Sequence, residues 1–317
     1  MASEAQDRMT ALESALGGAL AGQERLIERL MIALVAGGHL LIEGPPGVAK
    51  TRAVKALAAG VSGRFARIQC TPDLVPSDLT GTPVYHPHDG TTEFLPGPVF
   101  SNLVLVDEIN RAPPKVQSAL LEAMAEGQVT AGGETHRLPA PFLVVATQNP
   151  IEHDGTFPLP EAQLDRFLLY TVLHLPDAET ERRILDLVEA ESVAGPTTAK
   201  PSALDPATLK AAQREAASVH LAPELRDYIV RLVMATRQGP LAADIEHAVS
   251  PRGSLALAAA ARARAWLRGR DYALPEDVAD LAPDALAHRM VLRWSAVAEG
   301  RAPRAVVADL LAKVEPL

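Results

Sequence analysis

The sequence predicts an α/β domain built on a parallel sheet and followed by an all-helical domain, and three observations carry that expectation. Short apolar runs at residues 40–42, 102–106 and 142–147 lack polar alternation, as strands buried on both faces do, and helical stretches separate them. Beyond residue 203, successive amphipathic stretches each open on a proline: Pro206, Pro223, Pro251, Pro275 and Pro303. Aromatic residues make up only 4%, so the cores must be built from Ala, Leu and Val, which favours helices and buried parallel strands over a β-sandwich.

The elements follow in order. Residues 4–16 and 23–36 carry apolar side chains at helical spacing (Leu26, Ile27, Leu30, Met31, Leu34), with breaks expected at Gly17-Gly18 and Gly22 and an end at Gly37-Gly38. Leu40, Leu41 and Ile42 form a strand, Gly44-Pro45-Pro46-Gly47 forces a turn, and a helix opens at Lys50-Thr51. Residues 64–70 read as the next strand and end on Cys70, which is taken as buried and structural. An irregular stretch, 71–98, contains a hairpin whose arms at Val84-Tyr85 and 91–94 flank Asp89-Gly90. The strand 102–106 ends in Asp107-Glu108, a helix spans 115–126, and a second hairpin spans 128–138 around Gly132-Gly133. The strand 142–147 then presents Gln148-Asn149. A helix over 178–190 and a Gly, Pro, Thr and Ser-rich linker over 193–202 mark the boundary, so the expected division is 1–175, 176–202 and 203–317.

The chemistry begins at Gly44, Pro45, Pro46, Gly47, Val48, Ala49, Lys50 and Thr51. Glycine lets backbone N–H groups curl around phosphate oxygens, lysine reaches the β and γ phosphates, and a hydroxyl at the next position holds Mg²⁺. Ala49 departs from the usual G-x-x-x-x-G-K-[ST] form, in which glycine stands before the lysine. An open parallel sheet binds ligands at the C-terminal ends of its strands. Asp107 is therefore expected to hold the magnesium shell, Glu108 to polarise an attacking water, and the Asn149 amide to orient that water. Asn149 is equally natural as a turn residue before Pro150.

Other features weigh less. His86 and His88 sit on a polar loop without a third ligand and read as solvated. A net charge of −9 argues against a surface made to wrap nucleic acid, and Arg262, Arg264, Arg268 and Arg270 read as a solvated helix face. One cysteine excludes an intramolecular disulfide, no apolar run approaches a membrane span, and the N-terminus lacks the pattern of a signal peptide; a cytoplasmic protein is expected.

The segments GPPGVAKT, LVLVDEINRAPPKVQSALLEAMAEGQVT, FLVVATQNPIEHDGTFPLPEAQLDRF and SPRGSLAL closely resemble the MoxR family of AAA+ ATPases over nearly the whole chain. The resemblance implies a P-loop AAA+ domain with a helical lid, and ATP and Mg²⁺ as cofactors. It implies Walker A at 44–51, with alanine at position 49 a common family form, and Walker B at Asp107 and Glu108. It also implies sensor 1 at Asn149, an arginine finger at Arg166 and sensor 2 at Arg252. Two inserted hairpins, a homohexamer, a von Willebrand factor A domain partner and maturation of, or metal insertion into, other protein complexes are further implications. Arg166 follows the helical stub 161–165 and would face outward toward a neighbour's nucleotide; an Asp165-Arg166 surface pair is the alternative. Arg252 falls in the first turn of its helix, where the macrodipole disfavours a cation by some tenths of a kcal/mol, so a bound anion is the better explanation. Arg111 serves either an interface or the structure. The rivals to a remodelling chaperone are a nucleic-acid motor, which the net charge disfavours, and a weakly hydrolysing scaffold, which the set Glu108, Asn149 and Arg166 disfavours.

Overall fold

The computed structural model describes residues 3–150, 155–194 and 203–316; the expected linker lies outside the described residues from position 195 onward. In chain order the α/β part contains α1 (Glu4–Ala19), α2 (Glu24–Ala36), β1 (Leu40–Glu43), α3 (Lys50–Ala59), β2 (Phe65–Gln69), α4 (Pro76–Thr80), β3 (Gly81–His86), β4 (Thr91–Pro96), β5 (Leu103–Asp107), α5 (Pro114–Glu126), β6 (Gln128–Ala131), β7 (Glu134–Arg137), β8 (Leu143–Gln148), α6 (Glu161–Leu164) and β9 (Leu169–Val172). Then come α7 (Ala178–Ala194), α8 (Pro206–Ser218), α9 (Pro223–Ala235), β10 (Ile245–His247), α10 (Pro251–Leu267), α11 (Pro275–Leu286), β11 (Val291–Leu292), α12 (Trp294–Ala298) and α13 (Pro303–Lys313).

The five-stranded sheet has the order β2-β5-β8-β1-β9, and all its pairings are parallel. Both faces are covered. Leu40, Ile42, Leu103, Leu105, Leu143 and Val145 pack into one core, and Leu41, Val104, Val106, Val144 and Ala146 into the other. This is why the runs are unbroken in apolar character: alternate residues serve opposite cores, and each buried Leu or Val contributes about 1.5–3 kcal/mol. Leu105→Ala, at a fully buried position, would remove that contribution and leave a cavity, at a cost of about 2–5 kcal/mol.

The first of these cores continues without interruption through α1 and α2 into Leu209 and Ala212 of α8 and Leu257 and Ala260 of α10. The helical region has the expected caps: Asp205 accepts from the Ala207 and Thr208 amides at 2.9 Å, and Ser250 accepts from the Arg252 amide at 3.2 Å.

Several expectations need correction. The fifth strand, β9, went unread because its four residues include Tyr and Thr and begin one residue after LDRF. The C-terminal region is helical but also holds a small antiparallel ribbon of β10 and β11. Gly17-Gly18 do not break α1, because two glycines cost only about 1 kcal/mol each where Leu12, Leu16 and Leu20 are buried on either side. The arginines between 262 and 270 do not form one solvated face: Arg268 is exposed, but Arg262 is half-buried and donates to the Val219 carbonyl at 3.0 Å. Arg264 is buried and bridges Glu28, Asp277 and Asp280, Arg268 meets Glu28, and Arg270 meets Asp277 at 2.7 Å. These cations are already partnered by acids of α2 and α11.

Both hairpins form where expected, as β3 with β4 and β6 with β7. Phe94 of the first stacks on His136 of the second at 3.9 Å between ring centroids, which joins the two insertions into one unit.

Candidate functional site

The loop from Gly44 to Ala49 connects β1 to α3 at the C-terminal edge of the sheet. Gly47 adopts φ +85°, and a side chain at Gly44 would meet Leu173 at 3.0 Å. Ala49 has φ +60°, which explains why glycine is usual there and makes alanine cost about 1–2 kcal/mol in backbone strain. Lys50 Nζ donates to the Gly44 carbonyl and, at 3.3 Å, to that of Gln148, so its ammonium lies across the mouth of the loop.

Three strands converge on this loop. Asp107, buried at the end of β5, accepts from Thr51 Oγ1 at 3.3 Å and from Thr147 Oγ1 at 3.2 Å. Glu108 is also held in the left-handed region, at φ +57°, with its amide donating to Thr147 Oγ1 at 3.0 Å. Thr147 thus fixes both acidic residues. Asn149, buried one residue past β8, lines the same cleft of about 320 Å³ with Lys50, Thr51, Asp107 and Glu108. A threonine hydroxyl beside a carboxylate is a hard oxygen pair of the kind Mg²⁺ takes when phosphates and water complete its shell. Among the described residues no cluster of three or more His, Cys, Asp or Glu offers an all-protein metal cage.

The sequence reading missed Arg52, Arg67, Gln69 and Thr147 as members of this cleft. Arg67 Nε donates to Asp107 at 2.7 Å, Gln69 Nε2 donates to Glu108 at 3.0 Å, and Arg67 also reaches Gln69 at 3.1 Å. With Thr147 they form a polar lining for the two acids. The i, i+2 spacing of Arg67 and Gln69 on one face of a strand was the available signal. Arg111, whose role was open, donates to Glu108 at 3.1 Å.

A second cleft of about 250 Å³ adjoins the first and shares Pro46, Gly47, Ala49 and Arg52 with it. Its other walls are largely apolar, with Leu20 and Ala21 from the turn between α1 and α2 and Ile184, Leu187 and Val188 from α7, while Gln23 and Glu181 add two polar groups. Gly22 makes this possible at φ +69°, because any side chain there would collide with Thr180 of α7. Helix α7, read from sequence as a connector, is therefore a wall of the site. The pair of clefts suits a charged tail in one and a flat apolar ring in the other.

Arg166 and Arg252 lie elsewhere. Together with Asp165 and Arg289 they line a cleft of about 400 Å³ that also contains Gly37, Gly38 and His39, at the N-terminal end of β1. The length of β1, about 13 Å at ~3.3 Å per residue, separates them from the Lys50 loop. Arg252 therefore does not line the cleft of its own Lys50 loop in this structure. Its anion in this structure is Asp165, 3.4 Å away, which also accepts from Ser250 Oγ at 3.0 Å. Asp165 does not form the alternative surface pair with Arg166; Arg166 Nη1 donates instead to the Leu121 carbonyl at 2.7 Å.

Buried titratable groups cluster at this second end. His39 donates from Nε2 toward the Met124 carbonyl, 3.2 Å away, and accepts the Val144 amide on Nδ1 at 3.0 Å; burial lowers its pKa to about 4. Burial, then the Arg289 charge, puts His288 well below its ordinary value. Near the first end, burial, then the charges of Asp107 and Glu108, pushes the Cys70 thiol up to about 12, consistent with an inert structural cysteine.

Comparison with known proteins places these features in context. Residues 39–169 match the ATPase family associated with various cellular activities (AAA), and residues 241–310 match the AAA lid domain. The chain is 47% identical to Chaperone MoxR1 of Mycobacterium tuberculosis, over 93% of this chain and 78% of that protein. It is 46% identical to the uncharacterized protein YeaC of Bacillus subtilis, over 90% and 87% of the two chains. Identity to Protein MoxR of Methylorubrum extorquens is 35%, over 92% and 90%. The crystal structure of an ATPase candidate from Cytophaga hutchinsonii superposes with a TM-score of 0.88 at 41% identity, covering 98% of this chain and 95% of that one.

Proposed function

The chain belongs to the MoxR family of AAA+ ATPases, and from that premise we propose that it hydrolyses ATP to ADP and phosphate at a site completed by a neighbouring subunit. The observation that supports this most directly is the division of the expected residues between two ends of one sheet. Lys50, Thr51, Asp107, Glu108 and Asn149 line one cleft, and Arg166 and Arg252 line another at the opposite end.

In this reading the loop 44–51 cradles the phosphates and the apolar cleft beside α7 holds the base. Lys50 leaves its two carbonyl partners to meet the β and γ oxygens. Thr51 and Asp107 would hold Mg²⁺, which when bound neutralises charge on those oxygens. Glu108 polarises the attacking water and accepts its proton, and the Asn149 amide orients that water. Arg166, joined by Arg252, stabilises charge developing on the phosphoryl group in the next subunit, which makes a closed ring the natural assembly, a homohexamer by family resemblance. The work done with that energy is remodelling or maturation of other protein complexes in the cytoplasm, metal insertion among such tasks, with a von Willebrand factor A domain protein as partner. Among the described residues no helix is long and apolar enough to cross a membrane.

A protein partner is favoured over nucleic acid because Arg264, Arg268 and Arg270 are paired with internal acids and the hairpins carry Glu93 and Glu134. The test measures turnover per subunit against protein concentration, with and without nucleic acid. A site shared between subunits gives specific activity that rises as the ring assembles, and DNA or RNA leaves it unchanged. Constant specific activity in a monomer would overturn the shared site, and several-fold stimulation by nucleic acid would favour a motor.

A further inference from the structure

Arg289 sits in the 3-10 turn Ala287–Arg289 after α11, yet its side chain reaches across to the segment that leads into β9. Nε donates to Asp165 Oδ1 at 2.9 Å, Nη2 to the carbonyls of Asp165 at 3.2 Å and Phe167 at 2.5 Å, and Nη1 to the carbonyls of Leu168 at 3.3 Å and Ala285. The side chain is only 2% exposed. Burial pulls its pKa down to about 10, so it remains a cation at neutral pH.

Arg166 lies inside the clasped segment, with Asp165 on one side and Phe167 and Leu168 on the other. The same Asp165 carboxylate takes Ser250 and Arg252 from the start of α10. One buried guanidinium therefore fixes the backbone that carries Arg166 and, through Asp165, the position of Arg252. Only the planar fork of arginine can serve acceptors spread over four residues; a lysine ammonium is a single point.

We propose that Arg289 is a positioning residue for ATP turnover in the neighbouring subunit: buried and remote from its own phosphate cleft, it holds the 165–168 segment so that Arg166 and Arg252 present one rigid cationic edge. The proposal rests on the reading of Arg166 given above. A displacement of about 1 Å in a catalytic group costs on the order of 100-fold in rate, which sets the scale of the effect.

Arg289→Lys keeps the charge and most of the stem but loses the fork. Expected is a kcat about 100-fold lower with KM for ATP and binding of a non-hydrolysable ATP analogue unchanged, since the variant's own cleft is intact. Co-assembled with Lys50→Ala subunits, the variant should regain turnover, because its cleft then faces an undamaged arginine edge. Arg166→Ala mixed with Lys50→Ala reports separately on the neighbour reading. No recovery in that mixture would sink the neighbour reading and this proposal with it. Recovery there without recovery for Arg289→Lys, or weakened analogue binding in step with kcat, would overturn the positioning role alone. Should Arg289→Lys fail to fold, Asp165→Asn, which keeps the volume and removes the charge at the centre of the clasp, must give the same pattern of loss and recovery.

Discussion

The two ends of the central sheet differ in charge and in backbone strain. At the C-terminal end, Asp107, Glu108 and Asn149 gather around one lysine, and Ala49 and Glu108 are the two non-glycine residues with positive φ among those described. At the N-terminal end, Arg252 and Arg289 meet one carboxylate with Arg166 lining the same cleft, and the left-handed position is filled by Gly37, at no steric cost. Strain concentrates where groups must be aimed at a ligand, and relaxed, multiply bonded geometry prevails where groups must be held ready for a partner. Each end supplies about half of what phosphoryl transfer requires, cradle and base on one side and cations on the other.

The largest expected effect tests whether the first end contains the chemistry. Glu108→Gln should retain ATP binding and lose turnover by about 10²–10⁴-fold, the usual contribution of a general base. Lys50→Ala should lose binding itself, as nucleotide titration would show. Turnover by Glu108→Gln near that of the parent would place the base elsewhere and dissolve the contrast.

A smaller effect should come from acid at the second end. Because the folded pKa of His39, about 4, lies below its unfolded value of 6.5, the unfolded chain binds the proton first as pH falls. The contribution of neutral His39 is therefore complete above pH 6.5 and is lost between 6.5 and about 4, amounting to about 3 kcal/mol in full and about 2 kcal/mol by pH 5. Protonation of Nδ1 also removes the acceptor for the Val144 amide. Urea unfolding at pH 7 and pH 5 should show this loss in the parent and a smaller one in His39→Asn. Equal losses in the two proteins would move the acid sensitivity to other groups.

The smallest effect concerns strain. Ala49→Gly relieves a left-handed alanine but adds unfolded-chain entropy, so the net gain should lie between zero and about 1 kcal/mol. Ala49→Val, β-branched at the same φ, should destabilise by more than 1 kcal/mol. Thermal unfolding of the two variants would settle the order, and a stable Ala49→Val would mean the loop adopts another backbone in solution.

Much of this molecule was legible before folding. The parallel sheet was readable because strands buried on both faces leave unbroken apolar runs, as Leu103 to Val106 do. The loop 44–51 and the acids at 107–108 were readable because phosphate chemistry fixes residue types within a few positions of one another. Proline at the first helical position and caps such as Asp205 and Ser250 revealed the helix starts by purely local means. What lay beyond sequence were contacts between distant segments. Arg67 and Gln69 join the acids only because β2 pairs with β5, and α7 becomes a wall of the base cleft only because Gly22 lets a turn approach it. The side of the molecule on which Arg252 lies depends on how α10 packs against α2 and on the clasp of Asp165 by Arg289. Neither leaves a local pattern, since a hydrogen bond spanning more than a hundred residues constrains the sequence only at its two ends.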